Sequence, residues 1–334
     1  MSCSELTTKI GKTLLFIGNE CHAWTINDFV RAARNARAMG IDTIVPKRAD
    51  GMLRWFANLK QIEAERQATL DQGCGYIPFI YSYGPQFGEA QIAGECTLLA
   101  ELQDANDGMV VCDMEVEWNG RSDAAERFTQ YVRQHPQHTL IVTTWADPIQ
   151  QNWQGVIRAL LPVVTAWWPQ QYSTWLAAQT HQFIDLGATC IHPCVDLLGE
   201  FGANDPLNIA SSAMAAGHTS LGIWEYISAC QNPTLVRAIT AVMGKHLTST
   251  QPVTLPNPPE TSHPKIQWKH YTLLSGDTLG SIAQKLHIAN WYQDLYLPNA
   301  AMLNRIAQAH GYPDSRNGSL IFPGTELIYP IISV

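Results

Sequence analysis

Short apolar runs alternate with longer amphipathic stretches along the chain up to residue 247. The apolar runs predict strands over residues 13–17, 43–46, 76–81, 109–113, 140–144, 163–167, 189–192 and 221–224. Stretches with apolar positions at helical spacing lie between them and predict helices, among them residues 26–39, 52–71, 91–103 and 124–135. The pattern therefore predicts a regular succession of strand and helix pairs.

Eight such pairs within roughly 250 residues match the size and rhythm of a TIM barrel, an α/β fold. A doubly wound open sheet is the alternative, but no glycine-rich nucleotide loop follows the first predicted strand. We therefore expect a (β/α)8 barrel over residues 1–247.

The chain changes character after Leu247. Residues 248–265 carry five prolines among Ser, Thr and Asn, which favours a stiff, extended linker. We expect a small second domain of α+β type over residues 266–334.

The second domain begins and ends with characteristic turns. A predicted strand runs into a corner at Ser275-Gly276, after which Asp277 and Thr278 can cap a helix. The apolar positions of that helix recur at helical spacing, at Leu279, Ile282, Ala283 and Leu286. Pro323-Gly324 suits a type II turn, because proline presets the first central position and glycine accepts the positive φ of the second.

These features, from about Trp268 to Pro330, resemble the LysM domain, a βααβ module that binds N-acetylglucosamine-containing polymers such as peptidoglycan and chitin. The resemblance implies a shallow groove between two loops, with the sugar contacted largely by backbone amides. Carried onto this sequence, the walls of the groove are Gly276, Asp277, Thr278 and Leu279 on one side and Ser319, Leu320 and Ile321 on the other.

One departure from the family lies in residues 287–317, which are longer than its usual middle segment. We expect an extra helix around residues 300–310 that covers part of the groove. The alternative is that the module serves only in packing or oligomerisation.

Composition narrows the classes of partner. The chain of 334 residues is 46% hydrophobic and 15% charged, with a formal net charge of −8, so it can bury a large core and carries no basic stripe. Nucleic acid and anionic membrane surfaces are therefore poor partners, and no apolar run approaches the roughly 18 residues of a membrane span. The first ten residues lack the apolar core of a secretory signal, although the resemblance to LysM implies action at a cell wall or outside the cell.

The eight cysteines fall mostly inside predicted strands and helices, which indicates buried, free thiols. Cys190, His192 and Cys194 would share one face of a predicted strand as potential zinc ligands. A rigid strand cannot wrap three ligands around one tetrahedral ion, so packing in the core is the favoured interpretation. We expect no metal and no cofactor.

In a TIM barrel the functional side chains stand at the carboxyl ends of the strands. The corresponding residues here are largely aromatic and acidic, as expected for a carbohydrate cleft in which flat rings stack on sugars and polar groups bind hydroxyls. The predicted substrate-binding residues are Glu20, Tyr81, Trp145, Trp168, Gln171, Tyr172, Trp224 and Glu225, with Gln170, His192 and Asp196 at the same predicted strand ends. The alternative is that the tryptophans only cap the barrel core.

The sharpest chemical pattern is Asp113-Met114-Glu115-Val116-Glu117. If the strand continues through it, the three carboxylates share one face, because strand side chains alternate. Mutual repulsion would raise at least one pKa, as a general acid requires. Glycoside cleavage commonly uses two carboxyl groups, so Glu115, Asp113 and Glu117 are the predicted catalytic residues. The alternative is a charged strand end paired with Lys47, Arg48 or Arg121.

The Asp113-x-Glu115 pair, the segment Trp168-Pro-Gln-Gln-Tyr172 and the segment Ile223-Trp-Glu-Tyr226 together resemble the family-25 glycoside hydrolases, the lysozyme-like muramidases. The resemblance implies that Glu115 is the general acid and that Asp113 stabilises charge or orients the acetamido group of the substrate. The family carries an aspartate in the first strand, where this chain has Asn19 and Glu20, so Glu20 is its candidate substitute.

Taken together, the sequence predicts a glycoside hydrolase that cleaves β-1,4 bonds next to N-acetyl sugars in peptidoglycan or chitin and is held on the polymer by a LysM domain. The alternative is a non-catalytic wall-binding or phage-tail-like structural protein with a degenerate barrel. The missing strand-one aspartate favours the alternative, and the three carboxylates favour the enzyme.

Overall fold

The computed structural model describes residues 2–134, 139–172, 177–197, 205–244, 266–286, 288, 295–296, 299–312, 315 and 318–332. The chain forms two compact units, Met1–Leu255 and Pro256–Val334. The segment predicted as a linker, residues 248–265, lies outside the described residues.

The first unit is a closed barrel of parallel strands, which confirms the predicted TIM fold. Each of the eight barrel strands pairs with the next around the ring, and the last pairs with the first, so the ring itself is closed. The barrel strands are β1 Thr13–Ile17, β2 Thr43–Asp50, β5 Phe79–Ser82, β6 Met109–Met114, β7 Thr139–Trp145, β8 Val164–Gln170, β9 Cys194–Asp196 and β10 Leu221–Trp224, and the short strands β3 Leu53–Arg54 and β4 Gly75–Tyr76 pair with β2.

Helices surround the barrel and connect its strands. They are α1 Cys3–Ile10, α2 Ile26–Ala38, α3 Leu59–Leu70, α4 Glu89–Asp104, α5 Ser122–Val132, α6 Gln154–Leu160, α7 Ala177–Asp185, α8 Pro206–Ala215, α9 Tyr226–Gln231 and α10 Pro233–Val242. Local chemistry explains several starts: Ser2 and Thr25 form capping boxes, and Asp205 caps α8 ahead of a proline at its first position.

Two elements begin five residues or more after their predicted starts. The seventh strand begins at Cys194 rather than residue 189, because Pro193 cannot donate a ladder hydrogen bond, and only an isolated bridge at Ile191 precedes it. Helix α3 begins at Leu59 rather than residue 52, because β2 continues to Asp50 and turns back through β3. The first correction moves His192 away from the end of a strand.

Two apolar layers hold the barrel together. The inner layer fills the barrel with large side chains such as Phe16, Phe79 and Trp168, while the outer layer lies between the sheet and its helices. Leu6 and Ile10 of α1 belong to the inner layer, so this helix closes the amino-terminal end of the barrel. Burial of this extent is the main favourable term for the fold.

The prediction for Cys190 was wrong. Cys190 forms a disulfide with Cys3, 187 residues earlier in the chain, and thereby joins α1 to the segment before β9. The other six cysteines are free thiols, and five of them are buried, as predicted. Sequence spacing alone could not show this pairing, because Cys3 and Cys190 come within bonding distance only when the barrel closes.

The described elements of the second unit are β11 Ile266–Thr272, α11 Leu279–Lys285, α12 Ala300–Ala309 and β12 Glu326–Ile332. The two strands pair in antiparallel fashion, and a small core of buried side chains lies against them, including Leu273, Leu279, Ile282, Leu303 and Leu327. Helix α12 coincides with the extra helix expected around residues 300–310. Among the described residues, no helix is both long and apolar enough to cross a membrane.

Candidate active site

The three predicted catalytic carboxylates lie at the carboxyl end of the fourth barrel strand. Asp113 stands on β6 and is almost fully buried, at 4% exposure, whereas Glu115 follows the strand and is half-buried. Glu117 lies on a 3₁₀ turn, Val116–Trp118, so the expectation of one continuous strand face was wrong. The turn nevertheless keeps Glu117 beside the other two carboxylates.

The side-chain amide of Gln170 joins two of these carboxylates. Its Nε2 donates hydrogen bonds to Oε1 of Glu115 at 2.9 Å and to Oδ1 of Asp113 at 3.2 Å, and it lies 3.4 Å from Oγ1 of Thr143. Gln170 ends β8, two strands away from β6, and Thr143 occupies the strand between them. The amide therefore fixes the separation of Asp113 and Glu115.

The surroundings raise the pKa of both carboxyl groups. For Asp113, burial is the largest cause and the neighbouring charge of Glu115 is the next, while Lys47 acts in the opposite direction. For Glu115, burial raises the pKa, the hydrogen bond from Gln170 lowers it, and Glu117 raises it again. Such a pair retains a proton at a higher pH than free carboxyl groups do.

Glu117 is held separately from this pair. The Tyr81 hydroxyl donates to both of its oxygens, at 3.2 Å and 3.0 Å. Burial and the three nearby carboxylates raise the pKa of Tyr81 far above its usual value, so the phenol remains a donor. Tyr172 lies near Asp113 and Glu115. Burial is the main cause that raises the pKa of its phenol, followed by Cys194 and these two carboxyl groups.

The basic side chains that could have neutralised these carboxylates are paired elsewhere. Lys47 pairs with Asp50 at 2.9 Å and donates to Oδ1 of Asn19 at 3.1 Å. Arg48 forms an ion pair with Glu65 at 3.0 Å. Arg121 forms one with Asp123 at 3.4 Å. Lys47 still acts on Asp113 and Glu115 through space. The charge of the site is thus moderated but not cancelled.

A second acidic pair lies at the ends of the first and eighth barrel strands. Glu20 and Glu225 both approach Gly18: a methyl group built there would lie 3.2 Å from Oε2 of Glu20 and 3.5 Å from Oε1 of Glu225. Burial is the main cause that raises the pKa of Glu20 to about 7, and the charge of Glu225 adds to it. The candidate substitute for the strand-one aspartate therefore faces another glutamate.

The predicted aromatic residues occupy different depths. Trp168 is fully buried inside the barrel, 5.7 Å from the ring of Phe16, so it does not line an open wall. Trp224 is half-buried and also packs on Phe16, at 5.3 Å. Trp145 is half-buried at the end of β7. The half-buried Trp55, which the sequence did not single out, lies under the ammonium group of Lys47 at 4.8 Å.

The two glutamines at the end of β8, Gln170 and Gln171, differ in their contacts, and the predicted binding residue is not the one that reaches the carboxylates. Gln171, the predicted binding residue, is 1% exposed, and neither of its amide atoms has a hydrogen-bond partner among the described residues. Gln170 makes the contacts with the carboxylates instead. Strand alternation is the signal that could have identified it, since Gln170 shares the inward face of Trp168.

In the second unit, Asp277 and Thr278 shape the first loop. Oδ2 of Asp277 accepts from the backbone amide of Leu274 at 2.8 Å and from the Tyr271 hydroxyl at 2.9 Å, and Thr278 caps the start of α11 through Ser281 at 3.0 Å. Gly276 is exposed at the tip of this loop.

The second predicted wall lies against the first. A methyl group built on Gly318 would lie 2.3 Å from Cδ1 of Leu279, which places the segment before β12 against the start of α11. Leu279 itself is 2% exposed, and Leu320 and Ile321 are half-buried. The Leu279 and Ile321 side chains pack in the small core of this unit, whereas Gly276 and Thr278 are exposed on the first loop.

The fold places the chain among the TIM barrels. Similar solved structures include a β-mannanase from Streptomyces thermolilacinus with mannohexaose, with a TM-score of 0.51 and 14% identity over 64% of this chain and 78% of that one. A β-mannanase from Thermomonospora fusca has a TM-score of 0.50 and 12% identity over the same shares, 64% and 78%. Likeness at such identity shows the fold alone. No protein-family model and no curated protein sequence matches the chain.

Proposed function

We propose that the barrel is a glycoside hydrolase that cleaves β-1,4 bonds next to N-acetyl sugars in a cell-wall polymer, peptidoglycan or chitin. The observation that carries this proposal is the Gln170 amide between Asp113 and Glu115 at the barrel mouth. Carboxyl pairs held at a fixed separation are the usual means of glycoside cleavage. The resemblance of the Asp-x-Glu pair to lysozyme-like muramidases supports the same class.

Glu115 is the proposed general acid, because it is half-buried and its pKa is raised. Its proton passes to the glycosidic oxygen as the bond from that oxygen to the anomeric carbon breaks. Asp113, deeper in the site, stabilises the positive charge that develops on the sugar. Water then adds to the anomeric carbon, and its proton returns to the Glu115 carboxylate.

The spacing of the pair favours a retaining outcome. Oε1 of Glu115 and Oδ1 of Asp113 both accept hydrogen bonds from Nε2 of Gln170, at 2.9 Å and 3.2 Å. These two oxygens therefore lie no more than about 6 Å apart. Inverting enzymes separate their carboxyl groups by roughly 6.5–9.5 Å to admit a water molecule. Proton NMR of the first-formed reducing ends tests this point, and a pure inverted anomer would contradict it.

The second unit is proposed to hold the enzyme on its polymer as a LysM-type module. Its support is the pair of neighbouring loops, with Gly276 exposed at one tip and the segment before β12 packed against Leu279. Binding by such a tail raises the local substrate concentration without changing the chemical step. A chain that ends at Lys265 should lose retention on wall material, and full retention would contradict this role.

Hydrolysis is tested on purified peptidoglycan and chitin, with β-mannan included because two similar structures are β-mannanases. Wild-type protein should clear turbid wall suspensions or release reducing ends, and Glu115→Gln should lower kcat by about 100-fold or more. Glu126→Gln, on the exposed side of α5, is the matched control and should retain full activity.

The alternative is a non-catalytic wall-binding protein with a degenerate barrel. It is supported by the turn that follows the first strand, where Asn19 accepts a hydrogen bond from Lys47 and Glu20 faces Glu225, with no aspartate beside the pair. In that case wild type and Glu115→Gln would sediment with the polymer equally, and neither would release sugar.

A further inference from the structure

A cluster of metal-ligating groups lies at the amino-terminal end of the barrel, away from the mouth. Nε2 of His192 lies 3.3 Å from Sγ of Cys190 and 3.5 Å from Sγ of Cys3. All three ligand atoms lie within 4.8 Å of one another. The cluster combines the start of α1 with the segment that precedes β9.

The two nitrogen-to-sulfur distances match those of a zinc site. Zinc binds cysteine sulfur at about 2.3 Å and histidine nitrogen at about 2.0–2.1 Å, and tetrahedral angles then place sulfur and nitrogen about 3.5 Å apart. Two thiolates and one imidazole are also a ligand set that zinc prefers over calcium or magnesium. To bind zinc, the cluster therefore needs only that the disulfide be reduced and that its two sulfurs move apart around the ion.

His192 has little other reason to be where it is. The ring is 1% exposed, and its Nδ1 has no hydrogen-bond partner among the described residues. Its polar contacts there are with two sulfur atoms, which are weak hydrogen-bond acceptors. A buried imidazole with such poor partners is better explained as a ligand.

The site is reachable and has room for a fourth ligand. Cys3 and His192 line a cavity of about 270 Å³, which His218 also lines. Exposed residues at its edge, Ser4 and Thr219, open it to solvent. A water molecule in this cavity can complete a tetrahedron around an ion.

We propose that the reduced chain binds one zinc ion through Cys3, Cys190 and His192, with the fourth position open to this cavity. Zinc and the Cys3–Cys190 disulfide exclude each other, because both use the same sulfurs. Each form links α1 to the barrel, so the oxidised chain is held by a covalent bond and the reduced chain by the metal. This site is independent of the proposed hydrolase activity.

Reduction of the disulfide, which must precede zinc binding, is a two-electron step. A water-soluble phosphine gives two electrons to the disulfide, the S–S bond breaks, and water supplies two protons to the thiols and its oxygen to the phosphine oxide. Zinc then displaces one proton from each thiol as the thiolates bind it.

Full-length protein is reduced with the phosphine, freed of metal with a chelator, and titrated with Zn²⁺ alone. We expect one zinc ion per reduced chain and none per disulfide-bonded chain. Co²⁺ in its place should show thiolate-to-metal charge-transfer absorption. Cys3→Ser, Cys190→Ser and His192→Gln should each weaken zinc binding by about tenfold or more, because even the loss of a residue that only supports a metal ligand lowers affinity by about that factor.

Cys230→Ser and His181→Gln are the matched controls, since Cys230 is a free thiol and His181 is exposed. Both should bind zinc like wild type. If the variants at the buried positions do not fold, Cys3→Ser decides, because it changes only a half-exposed residue of α1. A reduced wild type that binds no zinc, or Cys3→Ser that binds it with unchanged affinity, would overturn the proposal.

Discussion

Gln170 donates a 2.9 Å hydrogen bond to Glu115 across the mouth of the barrel, although β7 separates its strand, β8, from β6, after which Glu115 follows. The same nitrogen reaches Asp113. The site is therefore organised by an amide rather than by a basic residue, and the pair keeps a negative or shared-proton character.

Replacement of Gln170 by methionine removes this donor. Because the hydrogen bond lowers the pKa of both carboxyl groups, its loss should raise both values further. If the barrel hydrolyses sugar, kcat should fall by about tenfold or more, and the acidic limb of the pH-rate profile should move to higher pH. An unchanged profile in Gln170→Met would show that the amide does not position the pair.

The raised pKa of Glu20 should make the stability of the protein depend on pH. Its pKa is raised from 4.5 to about 7 in the folded protein, so its protonated form favours folding below pH 4.5 and this contribution is lost as the pH rises through 7. The upper bound of the effect is about 3 kcal/mol. Between pH 5 and pH 8, the free energy of unfolding should fall more in wild type than in Glu20→Gln, as measured by urea titration with tryptophan fluorescence. Glu63→Gln, exposed on α3, should follow wild type.

Arg48 and Glu65 form an ion pair in which both side chains have 0% exposure. Arg48→Met would leave the Glu65 carboxylate buried beside Tyr76 and Gln61 without its cation. We expect a loss of about 3–5 kcal/mol in unfolding free energy. Arg54→Met breaks the exposed pair with Glu101 and should cost less than about 1 kcal/mol. Equal losses of unfolding free energy in Arg48→Met and Arg54→Met would show that burial does not make the first ion pair more important than the second.

Gly318 and Gly276 give a matched test of the contact between the two loops of the second unit. Both have positive φ, +78° and +89°, so alanine costs about 1 kcal/mol at either position. Only at Gly318 would the new methyl also overlap Leu279 and Tyr296, at 2.3 Å and 2.8 Å, and both neighbours are buried. Calorimetry of the full chain should show a larger loss for Gly318→Ala, by about 1–3 kcal/mol. Similar melting of the two variants would mean that the loops are not packed together.

The alternation of apolar runs with amphipathic stretches was enough to predict the barrel and its carboxyl-end acids. Local rules apply there, since strand and helix periods and the position of strand ends are properties of adjacent residues. The same rules located Asp113, Glu115 and Glu117, although the chain turns into a 3₁₀ helix after Met114 instead of continuing as a strand.

Tertiary structure alone decided which groups meet. Gln170 reaches Asp113 and Glu115 over more than fifty residues, and Cys3 meets Cys190 across 187 residues, because closure of the sheet brings the ends of distant strands together. Burial, which raises the pKa of the carboxyl pair and hides Trp168, also depends on that closure. Residue types and periods thus determine what each segment is, while the ring of strands determines what each side chain touches.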